Sequence, residues 1–165
     1  MELISFHVTE FQSILDSMQI QVDNVTCLVG KNESGKTALL QALYRLNPIR
    51  EADKHYSVTD DYPRMEVTDY EEAIRLKQRS SATVIKAEFA LIDNEISSVT
   101  EKLGGNCFNT TNVVITKNYE DSITAVVNVN EQAAKEFVCR TLSPQLQNQI
   151  GTAPYAFASG EINML

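Results

Sequence analysis

Gly30, Gly35, Lys36 and Thr37 occupy every fixed position of a G-x-x-x-x-G-K-[ST] pattern, and together these residue types can hold a polyphosphate. Gly30 lets the chain turn sharply. Gly35 lets the backbone approach phosphate oxygens with no side chain in the way, so that successive N–H groups of Lys31, Asn32, Glu33, Ser34 and Ala38 can form an anion nest. The phosphates would then sit at the positive end of a helix. Lys36, in its first turn, can reach the β- and γ-phosphates as a compact charge, and the Thr37 hydroxyl can ligate a Mg²⁺ that keeps most of its waters.

Such a loop works only if a strand feeds it and a helix leaves it. Before it, Val25, Cys27, Leu28 and Val29 form a β-rich apolar run that predicts a buried core strand. After it, Ala38, Leu39, Leu40, Ala42, Leu43 and Leu46 lie close to one helical face, and Pro48 predicts an end near Asn47. Upstream, Leu3 to Val8 reads as a strand that Thr9 to Ile14 continues into a turn at Asp16-Ser17. Met18 to Val22 alternates as a half-buried strand, and Asp23-Asn24 breaks it. Two antiparallel strands thus lead into a buried one, unlike a plain Rossmann-like start.

The run Phe11-Gln12-Ser13-Ile14-Leu15-Asp16-Ser17, then Ile20 and Val22, then Thr26 through Leu43, resembles the opening of the ABC-type AAA ATPases grouped with the RecF, SMC and OLD families. Those open with a strand ending in a Phe-Arg-Ser-like element, a second strand, and a Gly-x-Asn-x-[Ser/Ala]-Gly-Lys-[Ser/Thr] loop. Asn32 and Ser34 match beyond the generic motif, over roughly the first 48 residues. Gln12 stands where the family often has Arg, which removes a basic contact from that element. The resemblance implies an α/β P-loop NTPase, similar to the N-terminal lobe of an ABC-type head with a mixed or antiparallel β layer. It further implies ATP and Mg²⁺ as ligands, a homodimer or partner chain completing the ATPase site, and work on DNA in repair or phage defence.

Downstream, residues 49–80 are expected to be an exposed polar loop, with His55 solvated, and then a short helix from Asp69 to Gln78 capped through Thr68. Residues 81–142 should carry the lobe's remaining strands and helices. Thr83 to Ile92 is a strand, and Asp93 caps a helix that runs through Leu103 to Gly104-Gly105. Asn112 to Lys117 and Ser122 to Val129 form a hairpin, and Glu131 to Arg140 a helix with Ala134, Phe137 and Val138 inward. Residues 143–165 read as a polar tail. Residues 1–165 are thus expected to be a single P-loop ATPase domain, an incomplete head whose longer protein continues beyond it.

Composition sets outer bounds. With 165 residues, 43% of them hydrophobic and 22% charged, the chain has enough apolar material for a core. A net charge of −8 excludes a globally basic surface made for coating nucleic acid, though not one basic patch in an assembly. No apolar run reaches membrane-spanning length and Met1 to Phe6 lacks a signal-peptide pattern, so the expected location is cytoplasmic. Cys27, Cys107 and Cys139 are widely spaced in no metal-like pattern and read as reduced thiols.

Hydrolysis needs more than a cradle: an acid at a strand end for the Mg²⁺ shell, and a group that orients water. Asp93, after four apolar residues, offers the first role, with Glu95 nearby; both also fit a helix start. Gln145, Gln147 and Gln149 follow Pro144 in polar sequence rather than at a strand end, and Ala158-Ser159-Gly160-Glu161 faintly resembles the signature that contacts a partner's γ-phosphate. No catalytic residue is therefore assigned. Three readings stay open: an ATP-binding lobe that needs a partner's acids, a compact stand-alone P-loop NTPase or kinase using Asp93, and a non-catalytic module whose loop binds nothing.

Overall fold

In the computed structural model of the chain, the described residues are 1–32 and 34–149, the side chains of 142–149 excepted. One antiparallel sheet organises them. Its strands are β1 (Glu2–Phe11), β2 (Ile14–Asp16), β3 (Ile20–Gln21), β4 (Thr83–Ala90), β5 (Phe108–Asn118) and β6 (Ile123–Val129). The order is β2-β1-β4-β5-β6, and β3 pairs with the opposite end of β1 from β2. Every pairing is antiparallel, so the sheet layer takes the second of the two expected forms.

Alternation gives the sheet two faces. Phe6 and Val8 pair with Ala87 and Ile85, which pair in turn with Ile115 and Lys117, and these residues share the face on which the core is built. Helix α1 (Lys36–Tyr44) lies against β1 and β4 through Ala38 and Ala42, both buried. Alanines at a one-turn spacing bring the helix backbone close to the strands. Leu40, expected on that face, is exposed. The helix ends at Tyr44, before Pro48, where its bonding gives way to tighter turns: the Leu46 and Asn47 N–H groups bond three residues back, to the Leu43 and Tyr44 carbonyls.

Several expectations fail here for physical reasons. Val25 to Val29 is not a strand: no described strand pairs with it, and Val25, Cys27 and Val29 are exposed. Strand preference is a preference for packed neighbours, and this run has none among the described residues. The first hairpin turns at Gln12-Ser13 rather than at Asp16-Ser17, with Glu10 and Gln12 at positive φ.

Residues 49–64, expected as an exposed loop, instead hold a 3-10 turn (Glu51–Asp53) and a short helix α2 (Val58–Asp61), and they bury Tyr56, Asp61 and Tyr62. Tyrosine can bury its ring and still satisfy its hydroxyl. Tyr56 donates to the Ala42 carbonyl at 2.8 Å and Tyr62 to the Glu10 carboxylate at 2.9 Å, while burial foremost pushes the Tyr62 hydroxyl up to about 12. Beneath this segment Lys117 is fully buried, donating to the Arg45 and Lys54 carbonyls with its ammonium over the Tyr56 ring. Burial lowers its pKa, and Asp121 at 3.4 Å opposes that shift.

Helix α3 (Val67–Arg75) buries Tyr70, whose ring stacks on Tyr62 at 4.2 Å. Its N-cap is Glu66 and makes no side-chain bond, so Thr68 does not cap it. Helix α4 (Asp93–Leu103) and helix α5 (Glu131–Gln149) pack together, with Phe137 against Gly104. The helix therefore continues past Arg140 to Gln149, where a polar tail is expected.

Candidate phosphate-binding loop

The loop is held from both sides. Gly35 caps α1 at φ +83°, the left-handed region that a side chain disfavours. A Cβ there would also meet Ile14 Cγ1 at 3.1 Å and Ser13 Oγ at 3.3 Å, because the β1–β2 turn is packed against the loop's end. Ser13 and Ile14 are thus site residues that sequence reasoning missed: their apolar neighbours read as one continuing strand.

Lys36 closes the loop across its mouth. Its ammonium donates to the Gly30 carbonyl at 2.7 Å, the Lys31 carbonyl at 2.5 Å and the Ser34 hydroxyl at 3.1 Å. A Cβ at Gly30 would lie 2.8 Å from that same hydroxyl. Glycine at position 30 therefore leaves room for the serine and the lysine to meet. The structure brings Gly30, Lys31, Ser34, Gly35 and Lys36 together in this way; Asn32 is exposed on the rim, and Glu33 lies outside the described residues.

The helix start suits an anion. Leu39 is the first N–H to bond back, to the Gly35 carbonyl at 2.9 Å, so the amides of Lys36, Thr37 and Ala38 have no partner inside the helix. No acidic residue lies in the first turn to compete for them. Thr37 is exposed beside Lys36, so its hydroxyl is available to a hydrated cation. The donor set therefore fits a phosphate chain with Mg²⁺: backbone amides and one ammonium for the anion, one hydroxyl for the metal.

A polar relay ties this loop to the folded segment behind it. Gln12 donates through its side chain to Gln41 on α1 at 3.0 Å and to Asp61 at 3.2 Å, and through its backbone to the Asp61 carbonyl at 2.5 Å. Gln12 is thus an anchor between helix and insertion. Asp61 is buried and also accepts from Arg45 at 2.5 Å and from the Ser57 N–H at 2.9 Å.

The remaining sequence candidates lie elsewhere. Asp93 follows β4 at the Glu2 end of β1, whereas the loop abuts the Phe11 end. Ten residues of strand separate those ends, about 30 Å at ~3.4 Å per residue. Asp93 therefore cannot serve a metal held by Thr37. Nor does it cap α4: Ile92 is the N-cap, and Glu95 accepts from the Ile92 N–H at 3.0 Å and from the Met1 amine at 2.9 Å, bonds that lower its pKa.

His7 Nε2 hydrogen-bonds with the Asp16 carboxylate at 2.7 Å and His55 Nδ1 with that of Asp121 at 2.6 Å, and neither is bonded to the loop. Among the described residues no group of His, Cys, Asp and Glu side chains converges on a metal site, and no helix is long and apolar enough to cross a membrane. The side chains of Gln145, Gln147 and Gln149, and all of Ala158 to Glu161, lie outside the described residues.

The dependence on Gly35 can be measured. Gly35→Ala is expected to weaken nucleotide binding at least tenfold, since the new methyl must leave the left-handed region at about 1–2 kcal/mol and also push the β1–β2 turn away. Calorimetry with Mg-ATP reads the loss directly.

The model of a family described as AAA ATPase domain matches residues 1–154. A solved structure from work on the structural biochemistry of ATP-driven dimerization and DNA stimulated activation of SMC ATPases is 13% identical, with 93% of each chain covered and a TM-score of 0.40. No curated protein matches the chain.

Proposed function

Because the chain belongs to the AAA ATPase domain family, we propose that Gly30 to Ala38 binds ATP, with Mg²⁺ held through Thr37. The observation that carries this is Lys36, whose ammonium spans the loop between Gly30, Lys31 and Ser34 at the start of α1, where the first-turn amides have no partner inside the helix. Phosphate oxygens can replace those carbonyl partners with a stronger, charge-assisted set of bonds. Lys36 then neutralises phosphate charge, and the amides of Lys36, Thr37 and Ala38 orient it.

Binding and turnover separate in this reading. The loop offers a metal one hydroxyl, and Asp93 is a strand's length away, so the acid and the water-orienting group come from a partner chain or from residues beyond the described ones. The same proposal takes the chain as one lobe of a RecF- or OLD-like head that dimerises around ATP and acts with DNA in repair or phage defence. That finer part rests on the resemblance of the opening segment. A cytoplasmic setting belongs with it, since Cys27, Cys107 and Cys139 are free thiols.

Titration with Mg-ATP and Mg-GTP, beside an assay of phosphate release, tests the proposal. The expected result is saturable binding with negligible turnover, unchanged in Asp93→Ala. No heat at millimolar nucleotide would remove the ATP reading. Turnover that disappears in Asp93→Ala would restore the compact stand-alone enzyme.

A further inference from the structure

Strand β6 is the long free edge of the sheet, and it is built differently from the other edge. All seven of its residues, Ile-Thr-Ala-Val-Val-Asn-Val, are exposed, and its backbone pairs on one side only, with β5. Among the described residues no backbone group outside β5 bonds to Ile123–Val129. Free edges are ordinarily blunted by a charge, a proline, a bulge or short length. The opposite edge obeys this, because β2 has three residues and ends in Asp16. Strand β6 carries no charge and no proline, its ladder with β5 is regular from Ile123 to Val127 with an irregularity only between Val127 and Val129, and it is made largely of β-branched residues.

Its sequence is also self-complementary. Laid antiparallel on a second copy about Val126, Ile123 faces Val129 and Ala125 faces Val127 on one side of the sheet, while Thr124 faces Asn128 and Val126 faces itself on the other. Apolar meets apolar and polar meets polar. No charge lies within the paired strands, although the chain as a whole carries −8.

We propose that β6 is a homotypic pairing edge, through which two copies of this chain join their sheets into one around a two-fold axis at Val126. Head-to-tail pairing of β6 with β2 would reach only three residues, so closure into a dimer is favoured over a filament. A seven-residue edge is a small interface, and the dimer is accordingly weak and concentration-dependent. It needs no nucleotide, and it is independent of the ATP-binding reading.

Sedimentation of the full chain without nucleotide, over a wide concentration range, is the test. The mass is expected to rise from monomer to dimer, and to do so equally in Lys36→Ala. Val126→Lys and Val126→Glu should each remain monomeric at the highest concentration. Val126 is 57% exposed, so both variants can fold, and circular dichroism checks that they do. Mixing the two in equal amounts should restore the dimer, because the axis sets Lys against Glu. A wild-type chain that stays monomeric throughout, or dimerises only with Mg-ATP, overturns the proposal. Dimerisation of Val126→Lys like wild type, or a mixture that stays monomeric, overturns the pairing about Val126.

Discussion

Lys36→Ala is expected to reduce Mg-ATP affinity by on the order of 100-fold, from the loss of two charge-assisted hydrogen bonds at the low end of their range, about 1.5 kcal/mol each. The effect has two parts in this loop. The variant loses the cation that faces the phosphates, and it also loses the strut that joins the Gly30 and Lys31 carbonyls to the helix start. Lys36→Arg should not rescue binding, because a planar fork cannot occupy a site shaped around a compact ammonium. Lys31→Ala is the matched control: Lys31 takes part through its carbonyl and its side chain is exposed, so affinity should stay within about threefold. Stability should barely move in any of the three, since Lys31 is exposed and Lys36 begins α1 with its ammonium on the exposed side of the loop. Isothermal titration together with urea unfolding separates the two quantities.

The parts of this site that could be read in advance are those whose causes are local. The spacing of Gly30, Gly35, Lys36 and Thr37 states its chemistry within eight residues, and Gly35 does adopt the positive φ that the motif demands. The β5–β6 hairpin was legible for the same reason, because alternation and the turn at Asn118–Asp121 are both short-range signals. Val25 to Val29 shows where this stops. Its composition is that of a strand, yet strand formation depends on neighbours that composition does not name. The turn at Gln12-Ser13 was hidden differently, since it uses positive φ at Glu10 and Gln12 without the glycine or asparagine that normally announces one.

The folded segment behind the loop was illegible because its partners are far away in the chain. Asp61 and Lys117 look like surface charges in sequence, and their environment is supplied by the Arg45 side chain, by the Arg45 and Lys54 carbonyls, and by tyrosine rings. Gln12 carries the functional consequence. The residue that replaces the family's usual arginine holds the β1–β2 turn against α1 and Asp61, so loop geometry and core packing share one hydrogen-bond network.

Asp61→Ala exposes that sharing, and its expected cost is about 3 kcal/mol of unfolding free energy, the low end for breaking a buried ion pair, or a fall in Tm of about 6–12 °C. The carboxylate is 4% exposed, and its removal takes a partner from the Ser57 N–H, from one Gln12 amide proton and from the Arg45 guanidinium, which keeps only the His55 carbonyl. Arg45, at 23% exposed and lying over the Phe11 and Tyr56 rings, keeps part of its solvation, which is why the low end applies. Replacing both charges, as Asp61→Leu with Arg45→Met, should recover a large part of the loss, because no charge is then left buried without a partner. Nucleotide affinity should fall only a few-fold in Asp61→Ala, through the loosened Gln12 anchor. The two variants thus move opposite quantities: Lys36→Ala loses binding with its stability kept, and Asp61→Ala loses stability with most of its binding kept. If Asp61→Ala melted like wild type, the insertion would be a surface loop after all, and the relay through Gln12 would have no mechanical role.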